Sequence, residues 1–552
     1  MDLEIKLPSG ETKRYDRSTT TKDIIKDFRH QDEADPIVAV RLNNEIVSLS
    51  YPIPVNGEVE PVTLNSGDGT ILYKRTLCFL LAIAAKKLFP KRMLVIGHSL
   101  GAGYYYYFDG YDGIEPEDLD RLSKQIRKIV QQDHQIEHIA ISFSDAVKYF
   151  TENNQPDTAL FLKYQSKSKF LMYRCGDYMD LAHGPLLSRT GLLKTFDLCN
   201  YPPGFLLRFP LKGGDQTIPP LQKNPVLFSI YQEYKSWGKI LNMNCLGHLN
   251  QLIMQGNVKE FVQVAEALHD KKIASIADSI CEKRDTLKLV LIAGPSSSGK
   301  TTFSKKLAIQ LRVWGRNPVA ISLDNYFLPK HQTPLDADGK QDFERLEAID
   351  ISLLGSDLSR LLDGESVEIP NYDFITGKRR EKGTILQLPA RSVLILEGIH
   401  GLNDKLTPGI EREQKFKIYV SALTQLNLDD HNRISTTDNR LIRRMVRDSQ
   451  FRGHSALDTL RMWPSVGRGE DRYIFPFQNS ADVAFNSALD YELSVLKSYA
   501  EPLLRTVKPD VREYSEATRL LSFLESFLPI KPTLVPPLSI LREFIGDSEF
   551  TY

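Results

Sequence analysis

A glycine-rich stretch carries the clearest chemical signal in the sequence. Gly294-Pro295-Ser296-Ser297-Ser298-Gly299-Lys300-Thr301 matches the spacing G-x-x-x-x-G-K-S/T, and Thr302 follows. Glycines let the backbone curl so that its N–H groups face phosphate oxygens, and a following helix N-terminus adds partial positive charge. In such a loop the lysine reaches the β- and γ-phosphates and the next hydroxyl binds Mg²⁺. The stretch therefore predicts ATP and Mg²⁺ as cofactors, with residues 294–302 as the nucleotide site.

Two carboxylates follow buried strands further along the chain. "NPVAISLDNYFLPK" predicts a second strand that ends at Asp324, and "RSVLILEGIHGL" predicts another that ends at Glu397. Ligands bind at the carboxyl ends of the strands in parallel sheets. We therefore expect Asp324 beside the phosphate-binding loop, and Glu397 with Thr301 at the metal, directly or through water.

A dense run of arginines comes later. "TTDNRLIRRMVRDSQFRG" predicts a helix with Asp438 as its N-cap, and its arginines recur at spacings of three and four, so that several share one face. They are Arg440, Arg443, Arg444 and Arg447, with Arg452 just beyond. One interpretation is a solvated basic face. We favour a lid that closes on the phosphates and neutralises charge in the transition state.

Together these residues resemble the uridine kinase and phosphoribulokinase family, over about residues 288–500. The family's Ser-x-Asp-x-Phe-Tyr motif stands here as Ser322-Leu323-Asp324-Asn325-Tyr326-Phe327, with the aromatic order swapped. The resemblance implies that Asp324 is the catalytic base for an acceptor hydroxyl. It also implies that Lys300 acts in catalysis and that the family's lid arginines fall on Arg444, Arg447 and Arg452.

The resemblance also suggests an acceptor site, with departures from the family pattern. Glu344 stands in the ribose-contacting segment, and the base-holding segment reads Tyr372-Asp373-Phe374-Ile375-Thr376-Gly377. Tyr326, Glu344, Tyr372 and Phe374 are thus substrate candidates, although Tyr372 and Phe374 could equally be packing residues. Gly377 replaces the histidine that reads the pyrimidine edge in uridine kinases. Losing one polar contact changes selectivity without removing phosphoryl transfer, so the reaction class is better defined than the acceptor.

The first 64 residues form a small separate unit. "LEIKLPSGETKRYD" alternates around a Pro-Ser-Gly turn, "TTTKDIIKDFR" predicts a capped helix, and "IVAVRLNNEIVSLSYPI" predicts two short strands. This hairpin–helix–hairpin order resembles the TGS domain, a β-grasp module that binds partners.

Residues 65–235 resemble the editing-type domain of threonyl-tRNA synthetase, through "PEDLDRLSKQIRKIVQQD", "YRCGDYMDLAHGP" and "TGLLKTFDL". In that family two histidines, a cysteine and a further histidine do the chemistry. The matching positions here are Arg75, Phe79, Ala182 and Leu186. We therefore expect an α+β domain without aminoacyl-tRNA hydrolysis, and a role in binding tRNA or an amino acid stays open.

A second motif, in the same region, suggests a hydrolase. Gly97-His98-Ser99-Leu100-Gly101 matches the G-x-S-x-G elbow of serine hydrolases, which needs a helix directly after the serine. The residues that follow, "AGYYYYFDGYDG", instead predict a strand and turns. The synthetase resemblance places this stretch at a sheet edge, so we reject the hydrolase interpretation.

The remaining segments complete a multidomain α/β protein. Residues 236–285 predict a connecting helix pair that acts as a structural spacer, and residues 286–552 predict a parallel α/β kinase domain with a proline-rich tail that we assign no function. Zero net charge, five scattered cysteines and no apolar run long enough for a bilayer predict a cytoplasmic protein without a membrane partner. The oligomeric state is open.

The predicted function is an ATP- and Mg²⁺-dependent phosphotransferase with an alcohol acceptor, most simply the 5′-hydroxyl of a nucleoside. Two alternatives remain. One is a kinase for a sugar phosphate or another metabolite, and the other is a nucleotide-gated protein that binds tRNA or an amino acid through its N-terminal units.

Overall fold

The computed structural model describes residues 2–28, 32, 34–181, 183–283, 286–336, 339, 341–373 and 376–551. Among these residues no helix combines the length and the apolar character that a bilayer crossing needs.

The N-terminal unit is a mixed five-stranded sheet with one short helix. Its elements are β1 (Leu3–Lys6), β2 (Thr12–Tyr15), α1 (Thr21–Ile24), β3 (Ile37–Leu42), β4 (Glu45–Ser48) and β5 (Gly57–Thr63). The strand order is β2-β1-β5-β3-β4, with β1 parallel to β5. Asn43 and Asn44 both have positive φ, 48° and 62°, which a two-residue hairpin turn requires. The predicted hairpin–helix–hairpin order is present.

The second unit combines helices with two antiparallel sheets. Its elements are α2 (Gly67–Leu88), β6 (Leu94–Ser99), β7 (Gly103–Phe108), α3 (Pro116–Gln132), β8 (Glu137–Ser142), α4 (Phe143–Glu152), α5 (Pro156–Lys163), β9 (Lys169–Cys175), β10 (Tyr178–Asp180), β11 (Asp197–Tyr201) and β12 (Gly204–Arg208). The sheets have the orders β11-β12-β7-β6 and β10-β9-β8. The strand order places β6 at the edge of its sheet. The residues between Ser99 and Gly103 turn directly from β6 into β7, so no helix follows Ser99. The rejection of a nucleophile elbow is confirmed.

Three helices lead into the C-terminal unit: α6 (Pro225–Ile240), α7 (Leu246–Met254) and α8 (Val258–Glu282). The α6 helix starts well before residue 236, because Pro225 suits the first helical turn. Phe261, Ile273 and Ile280 of α8 are buried in one cluster with Phe303 and Phe485 of the C-terminal unit. These helices are therefore part of the C-terminal core, and the prediction of a mere spacer is wrong.

The C-terminal unit is built on a parallel sheet covered on both faces. Its elements are β13 (Leu289–Ala293), α9 (Lys300–Val313), β14 (Asn317–Ser322), α10 (Ile351–Leu362), β15 (Val367–Ile369), β16 (Tyr372–Asp373), β17 (Lys378–Arg379), β18 (Thr384–Leu386), β19 (Ser392–Glu397), β20 (Lys415–Ser421), α11 (Thr436–Phe451), α12 (Ala456–Tyr473), β21 (Val483–Asn486), α13 (Glu492–Leu504), α14 (Tyr514–Glu525) and α15 (Arg542–Ile545). The order β14-β19-β13-β20-β21 is parallel throughout. Alternate residues of β13 face two different apolar clusters, as expected for a strand buried on both faces.

Two local details differ from the sequence expectations. The β14 strand ends at Ser322, two residues before the predicted Asp324. The N-cap of α11 is Ser435, whose Oγ accepts a hydrogen bond from the Asp438 amide, and Asp438 instead pairs with Arg519 of α14 at 2.8 Å. The predicted N-cap, Asp438, is thus wrong, because the Ser435 hydroxyl satisfies the free amide at the third helical position.

The tail after α14 is ordered into the core. Ile540, Leu541 and Phe544 are fully buried in the cluster that holds α9 and α11. Arg542 donates to the carbonyls of Pro532 and Val535 at 3.0 and 2.7 Å and so fixes the turn of the tail. The tail thus lies against the helix that follows the glycine-rich loop.

Candidate active site

The glycine-rich loop connects the carboxyl end of β13 to the N-terminus of α9. A Cβ atom at Gly294 would lie 1.9 Å from the Val420 carbonyl oxygen of β20, so only glycine fits this approach. Ser297 and Gly299 have positive φ, 58° and 79°, which turns the backbone into the helix. The Ser297 and Ser298 hydroxyls are buried without a hydrogen-bond partner among the described residues. The loop is built as a phosphate-binding turn.

The donors of this loop already hold anionic groups. The Ser296 amide donates to Glu470 Oε1 at 3.1 Å, and the Thr302 amide and hydroxyl donate to Glu543 Oε2 at 3.1 and 2.6 Å. A carboxylate oxygen and a phosphate oxygen are both anionic acceptors, so the loop fits the phosphate chain of a nucleotide. Sequence reasoning missed both glutamates, which follow the loop by more than 170 residues.

Lys300, Thr301 and Glu397 lie together at the end of the loop. Lys300 Nζ donates to the Pro295 carbonyl at 3.2 Å, inside the loop itself. The Thr301 hydroxyl hydrogen-bonds to Glu397, the last residue of β19. Burial raises the pKa of Glu397 to about 7, with Lys300 opposing and the Asp324 and Glu543 charges adding to the rise. The pair offers two oxygen ligands, which suits Mg²⁺.

Asp324 lies in a short 3₁₀ turn, Leu323–Tyr326, directly after β14. Burial raises the pKa of Asp324, and the nearby Lys300, Arg452 and Arg447 charges oppose that rise. A carboxylate with a raised pKa is a better proton acceptor. The structure therefore places Asp324 among the groups expected to handle the phosphates.

Glu344 reaches the same space from the loop before α10. A Cβ atom at Gly469 of α12 would lie 2.5 Å from Glu344 Cβ, so the two segments are in close contact. Burial and the Glu470 charge raise the pKa of Glu344 to about 7, while Arg444 and Lys300 lower it. Glu344 can thus exchange a proton near neutral pH.

The three predicted lid arginines converge on one buried carboxylate. Asp448 Oδ1 lies 2.7 Å from Arg447 Nη2 and 3.7 Å from Arg452 Nε, and Asp448 Oδ2 lies 3.2 Å from Arg444 Nε. Arg444 also donates to the Ser296 hydroxyl at 2.9 Å, which brings it onto the loop. Asp448 therefore orients the cationic groups toward the phosphate site.

The other two arginines of α11 are buried and paired. Arg440 donates to the Ser296 carbonyl at 2.9 Å and forms an ion pair with Glu470. Arg443 pairs with Glu492 and donates to the Ser487 carbonyl at 2.8 Å. These two side chains hold α11 against the loop, which makes part of the basic face structural.

The other residues predicted to bind the acceptor are aromatic, and the structure places the described ones in packing contacts. Tyr326 is fully buried and its hydroxyl donates to Asp357 of α10 at 3.1 Å, so the structure gives no support for a substrate role. Tyr372 is buried edge-to-face against Phe327, with ring centres 5.7 Å apart, which favours packing. Phe374 lies outside the described residues. Gly377 has φ of 67° in the turn between β16 and β17, a conformation that favours glycine.

The described altered positions of the synthetase-like unit lie on α2 or beside it. Arg75 Nη1 donates to the Pro185 carbonyl at 3.2 Å, and the Phe79 ring packs on Tyr178 with centres 5.6 Å apart. Leu186 is fully buried. Ala182 lies outside the described residues. The three described positions carry no acid, base or nucleophile.

A loop of the C-terminal unit packs into this region. His431 Nδ1 lies 2.6 Å from Asp180 Oδ2, His183 Nε2 lies 3.0 Å from Asp429 Oδ2, and Asn432 donates to the Leu181 carbonyl at 3.2 Å. The loop, residues 427–433, runs from β20 toward α11. It therefore joins the synthetase-like unit to the helix that carries the lid arginines.

Comparison with known proteins identifies the C-terminal unit. Residues 289–494 match the Phosphoribulokinase / Uridine kinase family, and this segment contains the loop, both strand-end carboxylates and the lid arginines. The C-terminal part of the chain is a domain of that family.

The N-terminal region resembles threonine–tRNA ligases. The ligase of Carboxydothermus hydrogenoformans is 30% identical over 199 residues, which cover 36% of this chain and 31% of that protein. The ligase of Syntrophotalea carbinolica is 33% identical over 198 residues, with 36% and 31% covered. The chain spans about a third of the length of these curated relatives.

Solved structures of small-molecule kinases also match part of the chain. A possible uridine kinase from Bacillus stearothermophilus is 18% identical with a TM-score of 0.25, and 36% of this chain and 89% of that chain are covered. The D-glycerate 3-kinase of Cryptococcus neoformans is 17% identical with a TM-score of 0.21, and the covered shares are 49% and 87%.

Proposed function

We propose that the protein transfers the γ-phosphate of ATP, with Mg²⁺, to the 5′-hydroxyl of a nucleoside. One observation carries the proposal. The partly buried Asp324 carboxylate lies in the turn directly after β14, within the electrostatic reach of Lys300, Arg447 and Arg452. A base beside the cations that neutralise a moving phosphoryl group is the arrangement that phosphoryl transfer needs.

The nucleotide would be held by the glycine-rich loop. Its amides and the Lys300 ammonium bind the phosphate oxygens, and Lys300 must leave the Pro295 carbonyl to do so. Thr301 and Glu397 hold the metal, which neutralises charge on the β- and γ-phosphates when bound. Binding at Glu397 displaces a proton near neutral pH, because the pKa of that carboxyl is about 7.

The acceptor hydroxyl would face Asp324. Asp324 takes the hydroxyl proton as the hydroxyl oxygen bonds to the γ-phosphorus and the bond to the bridging oxygen of ADP breaks. Arg444, Arg447 and Arg452 stabilise the negative charge of the transferred group. Glu344 supports a polyhydroxylated acceptor. A carboxyl that titrates near pH 7 can donate a hydrogen bond to a ribose hydroxyl when protonated and accept one from it when ionised.

The contacts of the synthetase-like unit support a structural role for it more than ligand binding. The 427–433 loop fills the region around Asp180 and His183 with buried pairs, and Asp429 and Asp430 are almost wholly buried there. A tRNA end or an amino acid would have to displace these contacts. We therefore infer that the synthetase-like unit braces the kinase unit.

The test is a mass-spectrometric acceptor screen. The full-length protein is incubated with ATP and Mg²⁺ and a panel of nucleosides, sugars and sugar phosphates, with Lys300→Ala as the inactive control and Lys305→Ala as the matched lysine control on the same helix. A nucleoside that gains one phosphate in the wild type and in Lys305→Ala, and not in Lys300→Ala, supports the proposal.

The other outcomes point elsewhere. Transfer to a sugar phosphate keeps the chemistry and replaces the nucleoside. Hydrolysis of ATP without any phosphorylated product, together with a gel shift of tRNA that depends on ATP, would favour the nucleotide-gated binding protein.

A further inference from the structure

The C-terminal tail reaches into the nucleotide site. Ile540 and, within the short helix α15, Phe544 are fully buried, whereas Glu543 of α15 is only partly buried. A Cβ atom at Gly299 would lie 2.6 Å from Ile540 Cγ2, so the tail touches the last glycine of the loop. The Phe544 ring lies 4.9 Å from the Arg443 guanidinium of α11. The tail is therefore fixed against both the loop and the lid helix.

Glu543 uses donors that the loop would otherwise present to a nucleotide. Its Oε2 accepts from the Thr302 amide at 3.1 Å and from the Thr302 hydroxyl at 2.6 Å. Thr302 lies at the start of α9, where backbone N–H groups have no partner within the helix. In loops of this type those N–H groups cradle the α- and β-phosphates. A carboxylate and a phosphate cannot occupy the same two donors.

The Glu543 carboxylate also places a negative charge at the start of α9, where the phosphates of a nucleotide would add further negative charge. Glu543 acts electrostatically on Glu397, which lies across the loop with Thr301. A phosphate chain entering this site would meet the Glu543 carboxylate at close range, and like charges at such distances repel strongly in a partly buried site. Rotation of the Glu543 side chain would remove the conflict, and the buried face of α15 could stay packed.

We propose that Glu543 is a tail residue of the nucleotide site that competes with the phosphate chain for Thr302 and so lowers the affinity for nucleotide. This inference rests on the proposed binding of ATP at the loop. It gives the proline-rich tail a function: the tail sets the nucleotide concentration at which the kinase site fills.

The test compares Glu543→Ala and Glu543→Gln with wild type by isothermal titration calorimetry of ADP and ATP with Mg²⁺. Removing a charged hydrogen-bond competitor should tighten binding by about tenfold or more in Glu543→Ala. Glu543→Gln loses the charge and keeps an acceptor, so its gain should be smaller. Glu549→Gln, an exposed position of the same tail, is the matched control and should bind as wild type does.

A second readout separates competition from a structural role. Without nucleotide, Glu543→Ala should melt at a lower temperature, because the carboxylate caps α9. Saturating ADP should then raise its melting temperature by more than it raises that of the wild type. If Glu543 only stabilised the fold, its replacement would weaken nucleotide binding as well as stability.

The outcomes distinguish the two proposals. Nucleotide binding in Glu543→Ala and Glu543→Gln that equals or falls below a measurable wild-type affinity overturns the role of Glu543 and leaves the kinase assignment standing. Failure of the wild type and of both variants to bind either nucleotide overturns both proposals.

Discussion

His431 Nδ1 lies 2.6 Å from Asp180 Oδ2, and this pair joins the loop before the lid helix to the synthetase-like unit. Burial alone would lower the pKa of His431, yet the Asp180 carboxylate raises it to about 9, and Asp430 and Asp429 add to the rise. The imidazole is therefore charged at neutral pH. A buried ion pair between the 427–433 loop and Asp180 of the synthetase-like unit therefore holds the two units together.

Replacing His431 should destabilise the protein in a pH-dependent way. The pKa of His431 is raised in the folded state, so its contribution is fully present below about pH 6.5 and is lost as the pH rises through about 9. We expect His431→Asn to lower the free energy of unfolding by about 3 kcal/mol at pH 6, and by much less at pH 10. Urea unfolding at both pH values measures this. His331→Asn, at an exposed histidine, is the control, and a loss that is equal at both pH values would contradict the role.

Asp324→Asn should slow the chemical step and leave nucleotide binding intact. The amide keeps the shape and cannot take a proton, so kcat should fall by about 10²- to 10⁴-fold. The dissociation constant for ADP should stay close to the wild-type value, since the proposed role of Asp324 is toward the acceptor and not the nucleotide. Asp363→Asn, at an exposed position after α10, controls for the substitution itself. Full turnover in Asp324→Asn would refute its role as base.

Asp448→Asn should loosen the lid arginines. Three guanidinium groups lie within 3.7 Å of this buried carboxylate, so losing its charge should let Arg444 and Arg447 leave the phosphate site. Misplaced catalytic groups cost rate, and we expect kcat to fall by about tenfold or more. Asp438→Asn is the matched control, because Asp438 lies on the same helix as Asp448 and also pairs with an arginine, but that arginine is Arg519 of α14. Equal losses of kcat in the two variants would show that stability alone is responsible.

Much of the site follows from local patterns in the sequence. The loop, the strand ending at Glu397 and the arginine spacing of α11 are each encoded within about 20 residues, where periodicity and motif chemistry are informative. The structure brings these segments together because parallel strands end at one edge of the sheet. The fold class could be predicted for the same reason.

The residues that sequence reasoning missed come from distant segments. Glu470 and Glu543 contact the loop from positions 174 and 241 residues away, and no local pattern marks them. The 3₁₀ turn after β14 directs the Tyr326 ring toward α10, and the local sequence does not show this tertiary contact. The packing of the 427–433 loop around Asp180 is likewise a tertiary contact that neither segment encodes alone.

Gly377→His should not restore the pyrimidine reading of the uridine kinases. Gly377 has φ of 67°, and a Cβ atom there would lie 3.2 Å from Lys330 Cβ, so a histidine would strain the turn. The turn is also fixed by hydrogen bonds from Lys330 N to the Gly377 carbonyl and from Gly377 N to the Asp373 carbonyl. We expect a loss of roughly 1–2 kcal/mol in stability, and no fall in the KM for uridine or cytidine. Gly364→His, with φ of 86° and open space around it, controls for backbone strain away from the site. A lower KM for pyrimidine nucleosides in Gly377→His alone would instead show that the missing side chain, and not the shape of the turn, sets the acceptor.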